Sequence, residues 1–254
     1  MAEVMCSQRN MSQATRPPVS LPVSENFEEL RKEYRTLCKT ALFPCSAGQS
    51  HKVTKKNRSK DVIPYDQNRV ILPASDMKVM GEDNDYINAS YIRGYTSNDG
   101  YIVTQGPMLS TLDDFWSMVW SQNTSLVVML SRVGEYRQNH SYKYWPDVGD
   151  SVETDDVIVT TIDEEERANF VTRSFLLKYS KTGKKRHVTH FQFTTWREST
   201  FPPVPAFLQF WKKFRSLKKT GTHPPVIHCR YAVVFAVLDI YIQMLGGVFS
   251  GHKR

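Results

Sequence analysis

The residues best placed to do chemistry lie in PPVIHCRYAVVFAVLDI, positions 224–240. A short apolar strand runs into His228 and Cys229. A thiol at such a strand end acts as a nucleophile when the next segment holds an anion and favours the thiolate. Here the next residues are Arg230, Tyr231 and an apolar run, and no glycine stands between Cys229 and Gly246. Without glycine the backbone has little freedom to close around a ligand. The plain alternative is that Cys229 is a small buried hydrophobe at a strand end.

The elements that must position Cys229 are legible in the periodicity. The chain has 254 residues, 40% of them hydrophobic and 12% aromatic, which suits a packed core. Positions 1–23 read as a flexible tail without a signal-peptide core. Ser24 predicts an N-cap, and Glu25, Glu28 and Glu29 load the first turn of a helix ending near Lys39. Positions 43–54 read as a loop. Strands are predicted at 70–72, 86–92, 101–104, 125–130, 152–161, 170–179, 187–196 and 226–229. SKTGKK marks a hairpin turn at Gly183. Helices are predicted in STLDDFWSMVWSQ with Ser110 as N-cap, over 206–217, and over 234–245. Strands interleaved with helices make an α/β (α+β) domain.

Composition narrows the function classes. The net charge is +7, with basic clusters around 52–60, 181–186 and 212–219. Such runs are solvated faces or attract anionic partners. No nucleic-acid motif accompanies them. The apolar run at 232–242 is short and contains Asp239, so no membrane span is predicted. Cys6, Cys38, Cys45 and Cys229 show no paired spacing. They suit reduced thiols in an intracellular, cytoplasmic setting, with no disulfide framework, no metal site and no cofactor.

Seven segments in order carry a family resemblance. They are KNRSKDVIPYD (56–66), EDNDYINASYI (82–92), YIVTQGP (101–107), TLDDFWSMVW (111–120), YKYWP (142–146), THFQFTTW (189–196) and PPVIHC (224–229). Together they resemble the classical protein tyrosine phosphatase domain across about 55–245. The resemblance implies a twisted, mixed sheet with helices on both sides. It implies a domain at 55–254, preceded by a helix and loop at 24–54, and incomplete at its C-terminus because the family's last helices have no counterpart here.

The family's site residues carry over one by one. Cys229 takes the nucleophile position. The family's loop is Cys, five residues, Arg, whose backbone N–H groups and Arg fork grip the phosphate dianion. Here Phe235 stands six after Cys229, so the thiol is predicted to be unactivated. Glu198 takes the general-acid position, where the family has Asp after Trp-Pro. Arg197 replaces the stiffening Pro, and Thr200 replaces a Gly hinge. Ser59 stands where an aromatic ring would stack on phosphotyrosine. Asp61, the substrate-backbone ligand, is kept, with Arg58 beside it, and His140 aligns with a basic residue before YWP. CSAGQSH at 45–51 mimics the start of a signature, but no apolar strand leads into Cys45, so it reads as a loop coincidence.

These residues predict a catalytically dead phosphatase-like protein that binds phosphotyrosine proteins, or a partner covering its C-terminal apolar surface. The alternatives are weak residual activity through Cys229 and Glu198, and a truncated splice or pseudogene product. The segment after Cys229 is expected to bury Tyr231, Val233 and Val234, with Phe235, Val237, Leu238 and Ile242 in the core.

Overall fold

Runs of β-branched and aromatic residues suit a pleated, buried surface, and they build the sheet. The computed structural model describes residues 28, 29, 32, 36, 43–73, 85–96, 100–133, 142–196, 200–218, 223–229 and 232–249, the side chains of 246–249 apart. Among these residues the strands are β1 (Arg69–Ile71), β2 (Tyr86–Ile92), β3 (Tyr101–Thr104), β4 (Leu126–Met129), β5 (Ser151–Glu153), β6 (Val157–Glu166), β7 (Phe170–Tyr179), β8 (Lys185–Phe193) and β9 (Val226–His228). They form one mixed sheet in the order β1-β2-β3-β9-β4-β8-β7-β6-β5. The middle, β3-β9-β4-β8, is parallel, and both flanks are antiparallel.

The helices are α1 (Ser46–Gln49), α2 (Leu112–Ser121), α3 (Val204–Lys218) and α4 (Ala232–Phe249). Central strands buried on both faces send alternate side chains to two cores. Val127 and Val226 join Phe115, Trp116 and Met118 of α2 on one face. Val128 and Ile227 join Phe207, Phe210 and Phe214 of α3 and Phe235 of α4 on the other. The expected α/β sheet with helices on both sides is therefore present.

Several local expectations need correction. Positions 43–54 are not all loop. They hold α1, whose Ser46 and Ala47 N–H groups donate to the Asp66 carboxylate at 2.9 and 3.0 Å. The strand expected over 152–161 is two strands, β5 and β6. Thr154 Oγ1 donates to Val157 O at 2.8 Å and turns the chain at Asp155 and Asp156. The strand expected over 187–196 is β8, ending at Phe193. The N-cap of α2 is Thr111, because a 3-10 turn at Leu109–Thr111 takes up Ser110. The helix expected over 24–39 and the tail before it lie outside the described residues, except Glu28, Glu29, Lys32 and Thr36, which are helical.

The largest correction concerns α4. It begins at Ala232, two residues before the expected start. Val233 and Phe235 are buried as expected, but Val234 and Val237 are 37% and 42% exposed, and Leu238 and Ile242 are half-buried. The cause is the i, i+4 pair Phe235 and Asp239, which share one helix face and fix its rotation. Phe235 packs on the rings of α3. Asp239 is wholly buried, and its carboxylate accepts from Tyr101 Oη, Trp211 Nε1 (2.8 Å), Gln243 Nε2 (3.1 Å) and Arg215 Nη1 (3.3 Å). The Lys218 ammonium sits 3.9 Å from it and 3.5 Å above the Tyr101 ring centroid.

Neighbouring residues of α4 should therefore respond in opposite ways. Val234→Asp should change stability by no more than about 0.5 kcal/mol, as exposed substitutions do. Val233→Asp should cost several kcal/mol, because it buries an unpaired charge. Equal urea midpoints for the two variants would refute this rotation of α4. Asp239→Ala should cost about 3 kcal/mol or more, since it strips a buried carboxylate from its cationic partners. A midpoint within experimental error of the parent's would show that the hub carries no stability.

Candidate functional site

Parallel strands deliver their C-terminal ends to one edge, and ligands of open α/β sheets bind there. At that edge Thr104, His228 and Met129 lie side by side in register. Cys229 follows, one residue beyond the expected strand's true end. It is half-buried, in no disulfide, and has φ +129°. Such a φ is strained for any residue with a Cβ. Ala232 N–H donates to Cys229 O at 3.4 Å, and α4 is already under way. Between them stand only Arg230 and Tyr231, which lie outside the described residues. Phe235, six beyond Cys229, is fully buried, with its ring 5.9, 5.7 and 5.0 Å from those of Phe207, Phe210 and Phe214.

The segment at 56–61 reaches the same edge through a clamp. Arg58 N–H donates to Gln105 Oε1 at 2.9 Å, and Gln105 Nε2 donates to Lys56 O at 2.8 Å. The Arg58 guanidinium turns inward and donates to Gly106 O (2.9 Å) and Pro107 O (3.1 Å). Burial lowers its pKa. Arg58, expected among the substrate-binding residues, is thus committed to the backbone of the QGP turn. Asn57 accepts from Tyr86 Oη at 2.6 Å and from Asn88 Nδ2 at 3.0 Å, which locks the segment onto β2. Lys56 pairs with the buried Asp114 of α2 at 2.9 Å. Beyond the clamp, Ser59 Oγ accepts from Asp61 N–H at 3.3 Å, Ser59 is half-buried, and Asp61 is exposed. The structure therefore brings Ser59, Asp61 and Cys229 to one end of the sheet.

Behind Cys229 lies a buried polar chain that the sequence did not announce. His228 Nε2 and Tyr144 Oη share a 2.7 Å hydrogen bond. Burial, then the Arg58 charge, pushes the His228 pKa down to about 3. Burial also holds the Tyr144 hydroxyl well above its ordinary range. Next to Tyr144, His190 is driven well below its ordinary value by burial, then by Arg173 and His228. Arg173 donates to Gln192 Oε1 at 2.8 Å, lies 4.4 Å above the Trp145 ring centroid and pairs with Glu164. The signal for Tyr144 and Trp145 was the YWP motif itself. His190 lies within the THFQFTTW segment without being singled out there, and nothing in the sequence pointed to Arg173.

Glu198, with Arg197, lies outside the described residues, and so does His140. The two ends of the Glu198 segment are joined, since Trp196 Nε1 donates to Thr200 O at 3.0 Å. Trp196 is buried near Phe193 and Phe207. Burial and then Asp66 raise the Cys45 thiol pKa, which disfavours the reactive thiolate there. Gly48 behind it is structural: a Cβ there would meet Ile63 Cγ2 at 2.2 Å. Among the described residues no three His, Cys, Asp or Glu side chains are placed to hold a metal ion. No described helix is long and apolar enough to cross a membrane.

Comparison with known proteins agrees with this geometry. The protein-tyrosine phosphatase family matches residues 53–247. Receptor-type tyrosine-protein phosphatase F of Mus musculus is 35% identical over 244 residues, 90% of this chain and 13% of that protein. Receptor-type tyrosine-protein phosphatase S of Gallus gallus is 34% identical over 251 residues, 92% of this chain and 16% of that protein. Receptor-type tyrosine-protein phosphatase alpha of Homo sapiens is 37% identical over 183 residues, 69% of this chain and 22% of that protein. The chain thus spans less than a quarter of each relative's length.

The buried histidine sets a pH dependence. His228 titrates near 6.5 when unfolded and near 3 when folded, so the unfolded chain binds the extra proton between these values. Its contribution is complete above pH 6.5 and is lost as pH falls toward 3. The loss between pH 7 and pH 4 should be about 3 kcal/mol. His228→Gln keeps an acceptor for Tyr144 and removes this titration. Urea midpoints at pH 7, 5.5 and 4 should show a shallower acid slope than the parent's. Parallel slopes would mean that His228 is not held neutral by the fold.

Proposed function

The chain belongs to the protein-tyrosine phosphatase family, and we propose that it works there without hydrolysis, as a protein-binding member in phosphotyrosine signalling. The observation that carries this is the packing of Phe235. The family's Arg position holds a ring buried among three phenylalanines, and α4 begins three residues after Cys229. A phosphate dianion needs an Arg fork and converging N–H groups. Losing one such donor typically costs about a hundred- to a thousandfold in rate, and here the Arg and the loop go together. The Glu198 side chain, one methylene longer than the family's Asp and without the preceding Pro, weakens the acid as well.

Binding is proposed to use the protein surface more than the phosphate. Ser59 offers no ring to stack on phosphotyrosine, and Arg58 is spoken for by Gly106 and Pro107. The partner is a phosphotyrosine protein held outside the anion cradle, or one that covers the exposed apolar residues of α4, Val234, Val237, Tyr241 and Leu245. A cytoplasmic, reducing setting goes with this proposal and keeps Cys45 and Cys229 as thiols.

Weak residual hydrolysis is the second reading, favoured by the half-buried thiol and strained backbone of Cys229 at the sheet edge. A chromogenic aryl phosphate assayed from pH 5 to 8 separates the two. The expected result is no turnover above buffer. Turnover that disappears in Cys229→Ser would establish the second reading. Phe235→Arg is expected to unfold the chain and not to activate it, because it places a cation in an aromatic core. A folded, active Phe235→Arg variant would show that the missing Arg alone silences the site.

A further inference from the structure

The tip of the β7–β8 hairpin concentrates positive charge. Lys178 and Lys185 stand directly opposite each other in the antiparallel register, and both are exposed. Like charges so placed destabilise a strand pair. Lys181 and Lys184 add two exposed cations in the turn, and His187 is exposed two residues beyond Lys185 on the same face. Among the described residues Lys178, Lys184 and Lys185 enter no ion pair. Asp156, whose backbone O accepts from Ser180 N–H, is buried in the neighbouring turn, and the next acid on that face is Glu153. It pairs with Ile158, which pairs with Lys178, so it lies two strands away, about 10 Å. Asp155 stands in the neighbouring turn.

The tip is also held rigidly. Tyr179 stacks on Trp120 at 5.3 Å with an interplanar angle of 6°. The Arg186 guanidinium covers the same indole at 4.3 Å and donates to Trp120 O and Asn123 Oδ1, each at 2.7 Å. Ser180 N–H donates to Asp156 O at 2.9 Å, and Gly183 takes φ +68° to close the turn. A fixed cluster of cations loses little freedom when it meets an anionic surface.

We propose that this hairpin tip is an electrostatic docking surface for an anionic lipid bilayer. The lysine composition selects a bilayer over a shaped ligand. A phosphopeptide is held by Arg forks and backbone N–H groups, and the one Arg here is spent on Trp120. Lysines are point charges on flexible stems, and they match mobile headgroups spread over a plane.

The test is co-sedimentation of the full chain with vesicles of phosphatidylcholine alone, and of phosphatidylcholine with about a third phosphatidylserine, at about 0.1 M salt. The parent should sediment only with the anionic vesicles and be released at high salt. Replacing Lys178, Lys181, Lys184 and Lys185 by Gln should lower the partition coefficient about a hundredfold, at roughly fivefold per lysine with some compensation. A control removes the same charge elsewhere, through Lys52→Gln, Lys55→Gln, Lys212→Gln and Lys213→Gln. It should stay within about threefold of the parent. Equal losses in the two variants would reduce the effect to net charge and overturn the proposal. So would a parent that ignores anionic vesicles, including the case in which it binds poly-glutamate instead, which would assign the tip to an acidic protein. Melting curves check that both variants remain folded.

Discussion

The structure depends on how the chain leaves β9. That strand is three residues long, wholly buried, and flanked on both sides by parallel neighbours. A parallel strand cannot turn back along its own edge, so the chain must exit over a face of the sheet. Cys229 makes the exit with φ +129°, and α4 forms within three residues. The phase of α4 is fixed by Phe235 among the α3 rings and, one turn on, by Asp239 under Tyr101, Trp211 and Arg215. The two helices on that face and the central strand β3 are thereby fastened at one point.

The same edge shows how much of the fold is held by contacts that need no ligand. The motifs with the strongest family character are mostly fastenings. Gln105 and Arg58 exchange hydrogen bonds with each other's backbone segments. Asn57 joins Tyr86 and Asn88 of β2 to Gly48 of α1. Tyr144 bonds His228 from the opposite core. Each satisfies buried polar groups that would otherwise be costly to desolvate. None requires a bound phosphate.

Legibility in the sequence followed this division. Tyr86–Ile92, Tyr101–Thr104 and Phe170–Tyr179 were placed to the residue, because each is a run of branched and aromatic side chains bounded by polar ones. Gly183 marked its turn because a positive φ there favours glycine. The turn at Asp155 and Asp156 was missed because apolar residues continue on both sides and the break rests on the Thr154 hydroxyl. The exposure of Val234 and Val237 was missed because α4 is apolar nearly all round, so its composition carries no phase. Asp239 was the one residue that could have supplied it. A lone carboxylate in an apolar helix must face its cationic partners, and that orientation sends Val234 and Val237 outward.

Magnitudes indicate what holds the start of α4 in place. The short connection between Cys229 and α4 costs little closure entropy, since each halving of a loop is worth about 0.6 kcal/mol. Burying a Phe side chain contributes about 2–3 kcal/mol, and edge-to-face contacts with neighbouring rings add to that. Phe235 makes such contacts with Phe207, Phe210 and Phe214. The short connection therefore stabilises little, while the aromatic core it faces stabilises a great deal. A cation at position 235 would have to displace that core, so the ring cluster, more than the length of the segment after Cys229, holds the start of α4 in place.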